Sequence, residues 1–174
     1  MSREWSKLSP EVWRSPRFLS LPEVGAALLW HYYVAGPHAN SSGCSCIPDG
    51  YAVADFSSFG WTAKDLGQNR KLLIDAGLIS FDPVTSEVYV DRWFLHNPPT
   101  NPSHAKGAAK LIGKIASDTL REKAEAEFAA TDFGAKLLQI AKAANDPLAS
   151  SPGDRLTNSA FMNGGNRGVK WDGR

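Results

Sequence analysis

Apolar positions recur at helical spacing in the first third of the chain, switch to alternation near residue 80, and return to helical spacing after residue 100. Val24, Leu28, Leu29 and Tyr32 follow a helical period until Gly36-Pro37 interrupts it. Ser20 and Glu23 stand three apart ahead of that run, with Pro22 between them, which predicts a capping box at the start of a first helix. The segment 37–50 is rich in turn residues, with Cys46-Ile47 as a candidate short strand. Asp49 predicts the cap of a short second helix, with Tyr51, Val53, Ala54 and Phe56 on its apolar face and Gly60 at its end.

A third helix is predicted from Thr62, with Asp65 three residues on as a shorter capping box, to Ala76, stopped by Gly77. Residues 78–81 and 87–90 are β-branched, aromatic or alternating, and they flank Asp82-Pro83-Val84-Thr85-Ser86. That pattern predicts a β-hairpin. Three helices followed by a hairpin place residues 1–100 in the α+β class, as a winged helix-turn-helix domain with the hairpin as its wing.

On a helical wheel, Leu66, Leu73 and Gly77 share one side of the third helix, with Ala63 and Ile74 on a shoulder. Lys64, Gln68, Lys71 and Asp75 lie opposite, and Asn69 and Ala76 occupy the other shoulder. Any amphipathic helix has a polar outside. This one offers cations for phosphates and amides for base edges, next to a hairpin that can touch an adjacent backbone. Arg70 falls near the buried edge, where it either reaches along the domain to a phosphate or pairs with an acid.

Charge adds little steering. The net formal charge is +1, with residues 1–100 carrying eight Lys/Arg against ten Asp/Glu and residues 101–174 carrying eleven against eight. Binding to a polyanion therefore depends on local patches. Lys106, Lys110 and Lys114 recur every four residues, and Arg121 falls on the same face of a helix, four cations on one stripe. Such a stripe is either a solvated face or a track for a phosphate backbone. Leu111, Ile112, Ile115 and Leu120 give this extension an apolar side, which docks on the domain or on a second copy of the chain. A further helix is predicted from Thr131, with Phe133, Leu137, Ile140, Ala141 and Ala144 in a stripe. The helical extension spans 101–144. Residues 145–174 are Pro, Ser, Gly and Asn in the main and predict a flexible tail, where Trp171 is either a docking anchor for a partner protein or incidental.

No reactive grouping emerges. His31, His38, His96 and His104 are scattered, and no matched nucleophile, phosphate-cradling loop or helical His pair accompanies them. Cys44 and Cys46 are too close for an unstrained disulfide, and with His31 and His38 they match no common zinc spacing. No metal or cofactor is expected, and the chain reads as a binding protein, not an enzyme. The first residues lack an apolar signal core and no stretch approaches about 18 apolar residues, so a cytoplasmic location without a membrane partner is expected.

Several segments carry a wider likeness. Glu11-Val12-Trp13-Arg14-Ser15-Pro16-Arg17-Phe18, Leu21-Pro22, Gly36-Pro37-His38, Gly43-Cys44, Ile47-Pro48, Gly50-Tyr51, residues 75–79 and Trp93-Phe94 with Asn97-Pro98-Pro99 together resemble the N-terminal winged-helix domain of phage and prophage replication initiators of the replisome-organiser type. The resemblance covers about residues 8–110. It implies binding of double-stranded DNA at a replication origin, with Thr62, Lys64, Gln68 and Lys71 reading DNA and Thr85 and Ser86 against its backbone. It also implies a replicative helicase or its loader as partner for the C-terminal region. A transcriptional repressor or a protein-binding adaptor on the same scaffold shares these features.

Overall fold

The computed structural model describes residues 8–145. It is a mixed α+β structure in which helices surround a three-stranded antiparallel sheet. After a 3-10 turn, Pro10–Arg14, come α1 (Pro16–Leu19), α2 (Val24–Ala35), β1 (Cys44–Cys46), α3 (Asp49–Asp55) and α4 (Ala63–Asp75). The hairpin β2 (Ile79–Asp82) and β3 (Glu87–Val90) follows, then α5 (Trp93–His96), α6 (Pro102–Ile112), α7 (Asp118–Ala129) and α8 (Asp132–Asn145).

β3 is the central strand. It pairs Tyr89 with Cys44 and Glu87 with Cys46 on one side, and Val90 with Ile79 and Glu87 with Asp82 on the other. All four of its residues are buried. The candidate strand at 46–47 is thus real but lies one to two residues earlier. Ile47 falls just outside it and donates its N–H to the Ser86 carbonyl. The core is built from Leu29 of α2, Leu66 and Leu73 of α4, Ile79, Val88 and Tyr89 of the sheet, and Phe94 of α5, all essentially without solvent contact.

Four expectations for the first helices need correction. Ser20 and Glu23 form no capping box. α2 begins at Val24 with no side-chain cap, and the Ser20 hydroxyl instead donates to the Arg17 carbonyl of α1. The buried face of α2 is Ala26, Leu29, Tyr33 and Val34, while Val24 is 85% exposed. This helix is apolar nearly all round, so its periodicity did not single out one face. In α3, Ala52 is buried and Tyr51 is exposed. Asp49 is the first residue of α3, after Pro48, and makes no cap; its carboxylate faces α4.

The extension is not one continuous helix. α6 ends at Ile112 with Gly113 as its cap, and α7 begins after Ser117, whose hydroxyl accepts the Leu120 N–H. Glu87 fixes the break: its carboxylate accepts the backbone N–H groups of Ala116 at 3.0 Å and Ser117 at 2.7 Å. α7 then lies along the sheet. Tyr89 donates to Glu127 at 2.7 Å, Lys123 pairs with Asp91 at 2.7 Å, and Phe94 and Phe128 meet edge to face. Burial and Glu127 together push the Tyr89 phenol well above its ordinary pKa. The predicted start at Thr131 holds, since its hydroxyl accepts the Gly134 N–H. Residues up to Leu137 form one compact unit that includes α6 and α7, and the last turns of α8 belong to a second.

Candidate nucleic-acid interface

The capping box predicted at Thr62 forms. The Thr62 hydroxyl accepts the Asp65 N–H, and the Asp65 carboxylate accepts the Thr62 N–H at 2.8 Å and its hydroxyl at 2.6 Å. These bonds from Thr62 hold the Asp65 carboxyl below its ordinary value, helped by the nearby charge of Lys64. α4 thus starts at a fixed residue, and the rotation of every later side chain about its axis follows. Leu66 and Leu73 are fully buried, whereas Thr62, Lys64, Gln68 and Lys71 are exposed.

Four features temper that face. Lys71 is tied to Asp75 one turn on, at 2.5 Å, which offsets its charge. Ile74, expected at a core shoulder, is 41% exposed. Ala63, on the same shoulder, is also exposed. Asn69 is half-buried and turned toward α2. Its amide donates to the Asp65 carbonyl, and a methyl at Gly25 would lie 2.7 Å from its Oδ1. The face therefore presents Lys64, Gln68 and Lys71, with Asn69 serving as a spacer between helices.

Arg70 resolves to the acid pairing. Its guanidinium bonds Asp49 of α3 and the Tyr33 hydroxyl of α2, and stacks 4.0 Å from the Phe81 ring centroid. Burial opposes its charge, but the bonds to Asp49 and Tyr33 outweigh that penalty and raise its pKa. One side chain thereby clamps α2, α3, α4 and β2 behind the exposed face of α4.

The hairpin departs from expectation at its tip. The Thr85 hydroxyl oxygen is buried without a hydrogen-bond partner among the described residues, and the Thr85 carbonyl accepts the Cys46 thiol. Ser86 has a left-handed backbone with φ 55° and hands its carbonyl to Ile47. The turn thus folds Thr85 and Ser86 onto β1, and Val84, 90% exposed, is the projecting residue. The Ser117 hydroxyl and the Val84 N–H hold the Asp82 carboxyl below its ordinary range.

Lys106 and Lys110 are exposed on α6, opposite the buried Ala105, Ala108 and Ile112. Lys114 is exposed beyond the helix end, three residues before the Ser117 that Glu87 holds at the hairpin. None of the three forms an ion pair among the described residues. Arg121 is not their continuation: it lies on α7, bonded to Asp118 and to the Ile115 carbonyl. Trp171 and the tail 146–174 lie outside the described residues.

Elsewhere, burial pushes the Cys44 thiol up to about 12, with Glu87 adding to the effect. Among the described residues no group of three or more His, Cys, Asp and Glu side chains is placed to hold a metal, and no helix is long and apolar enough to cross a membrane. No protein-family model matches this chain, and neither a curated protein nor a solved structure matches it.

Proposed function

We propose that the chain is a double-stranded DNA-binding protein built on a winged helix, with α4 in the major groove and β2–β3 as a short wing. One observation carries the reading: α4 buries Leu66 and Leu73 completely while Lys64, Gln68 and Lys71 face outward, directly before a two-stranded hairpin. Lys64 and Lys71 serve phosphates, and the Gln68 amide suits the edge of an adenine. Lys106, Lys110 and Lys114 supply a second, sequence-independent set of phosphate contacts. The order helix, strand, helix, helix, hairpin supports the winged-helix assignment, and the likeness to replication initiators favours a role in starting phage-type DNA replication. A replicative helicase or loader is the proposed protein partner.

The test is a salt titration of binding to mixed and candidate-origin duplexes. Wild-type chain should bind with an affinity that falls steeply with salt, and Lys64→Glu with Lys71→Glu should weaken it. Absence of any duplex retention at low salt sinks the proposal. A protein-binding adaptor is the second reading, favoured by Tyr51 and Phe59, two aromatic side chains more than half exposed around α3.

A further inference from the structure

A cavity of about 100 Å³ opens between the N-terminal segment, α2 and the end of the hairpin. Its inner wall is apolar and buried, made by Phe18, Val34, Leu78, Val90 and Trp93. Its outer residues are Arg17, half-exposed, with Arg92 and His96, both exposed. This combination separates an apolar pocket from a charged mouth.

Two guanidiniums stand at the mouth. Arg17 spends one nitrogen on the Gly77 carbonyl, and Arg92 makes no side-chain hydrogen bond among the described residues. The two guanidiniums lie close enough to repel: burial and then Arg92 lower the Arg17 pKa. Two carboxylates also line the cavity, and one of them, Asp91, lies near enough to Arg17 to favour its charged form. Asp91 is paired with Lys123 and Glu11 with Arg14. Trp30 lines the cavity too, and its Nε1 is buried with no hydrogen-bond partner among the described residues. Buried indole N–H groups ordinarily find an acceptor.

We propose that this cavity is a binding site for a small monocarboxylate with a short apolar body, its carboxylate between Arg17 and Arg92. The volume sets the size of the body. A dry cavity of roughly 150 Å³ accepts benzene, so this smaller one takes a chain of three or four carbons. The guanidinium forks match carboxylate geometry, and an oxygen of the guest offers Trp30 an acceptor that none of the described residues provides. The site is independent of the DNA-binding reading.

Valerate is the probe, with 1-pentanol as the same chain without charge and acetate as the charge without the chain. The readout is the ¹H–¹⁵N spectrum of the full chain, in which the Trp30 indole peak reports the cavity and the Trp61 indole peak, stacked on Phe56, serves as control. Valerate should shift the Trp30 peak saturably and leave Trp61 in place, with pentanol and acetate each at least about ten-fold weaker. Arg92→Asn should weaken valerate about ten-fold. Asparagine tolerates the left-handed backbone of residue 92, so that variant keeps its fold. Equal binding of valerate and pentanol, no shift at Trp30, or unchanged affinity in Arg92→Asn overturns the proposal.

Discussion

The Glu87 carboxylate on the central strand accepts the backbone N–H of Ser117 at 2.7 Å, thirty residues away in sequence. A second oxygen takes the Ala116 N–H, so one buried side chain satisfies the start of α7 and ties it to the hairpin. Glu87→Gln keeps one acceptor and sets an amide NH₂ against a backbone donor. It should cost about 2 kcal/mol in urea unfolding. Local protection of residues 116–120 in hydrogen exchange should fall with it, and unchanged stability would contradict this account.

Arg70 and Asp49 predict an asymmetry. The Arg70 side chain is 7% exposed and that of Asp49 is 50% exposed. Asp49→Ala strands a buried guanidinium and should cost about 3 kcal/mol. Arg70→Met leaves Asp49 to water and keeps contact with Phe81, so it should cost about 1 kcal/mol. Denaturant midpoints of the two variants check the order; the reverse order would refute it.

Asp65 sets a pH dependence with a definite sign. Its folded pKa lies below the ordinary 3.8. Its contribution to stability is therefore fully present above the ordinary value and lost as pH falls through the folded one. Thermal melts taken from about pH 5 down to about pH 2 should show a steeper loss in wild type than in Thr62→Ala, which lacks the hydroxyl donor. Asp82 has the same sign and persists in that variant. Parallel curves for the two proteins would remove Thr62 as the cause.

Gly43 has φ 75°, and a methyl there would lie 2.3 Å from Trp93 Cγ. Strain and overlap act together, so Gly43→Ala should lower stability by about 3 kcal/mol or more. A melting temperature within a degree or so of wild type would show that the turn before β1 has more freedom than this geometry grants.

For DNA, the lysines of α6 and Gln68 of α4 should separate. Loss of each phosphate contact from Lys106, Lys110 or Lys114 should reduce the slope of log K against log salt by about one, equally for every sequence. Gln68→Ala should instead flatten discrimination between sequences and leave the slope alone. Equal effects on all duplexes from Gln68→Ala would remove it from base reading.

What the sequence disclosed followed the range of each interaction. The box at Thr62 and Asp65, the stop at Gly77 and the hairpin around Pro83 are local, and each was legible. The burial of Leu66 and Leu73 followed from spacing alone. The pairing of Arg70 with Asp49 was one of two open readings, because the choice depends on where α3 packs. The division between α6 and α7 was missed: Gly113 and Ser117 carried a weak signal, and the decisive partner, Glu87, lies far away in the chain. Thr85 and Ser86 looked like an exposed tip because turn residues usually are; only the register of β1 on β3 folds them inward. Nothing in the spacing of Arg17 and Arg92 announces a shared cavity.

Placing β3 in the middle has a consequence for how these molecules meet one another. The free rims of the sheet belong to β1 and β2, three and four residues long. A second sheet docking rim to rim gains only a few backbone bonds on either side, and the β2 rim ends at Asp82-Pro83, a charge and a residue with no N–H to offer. The strand richest in apolar side chains is the one that no neighbour can template.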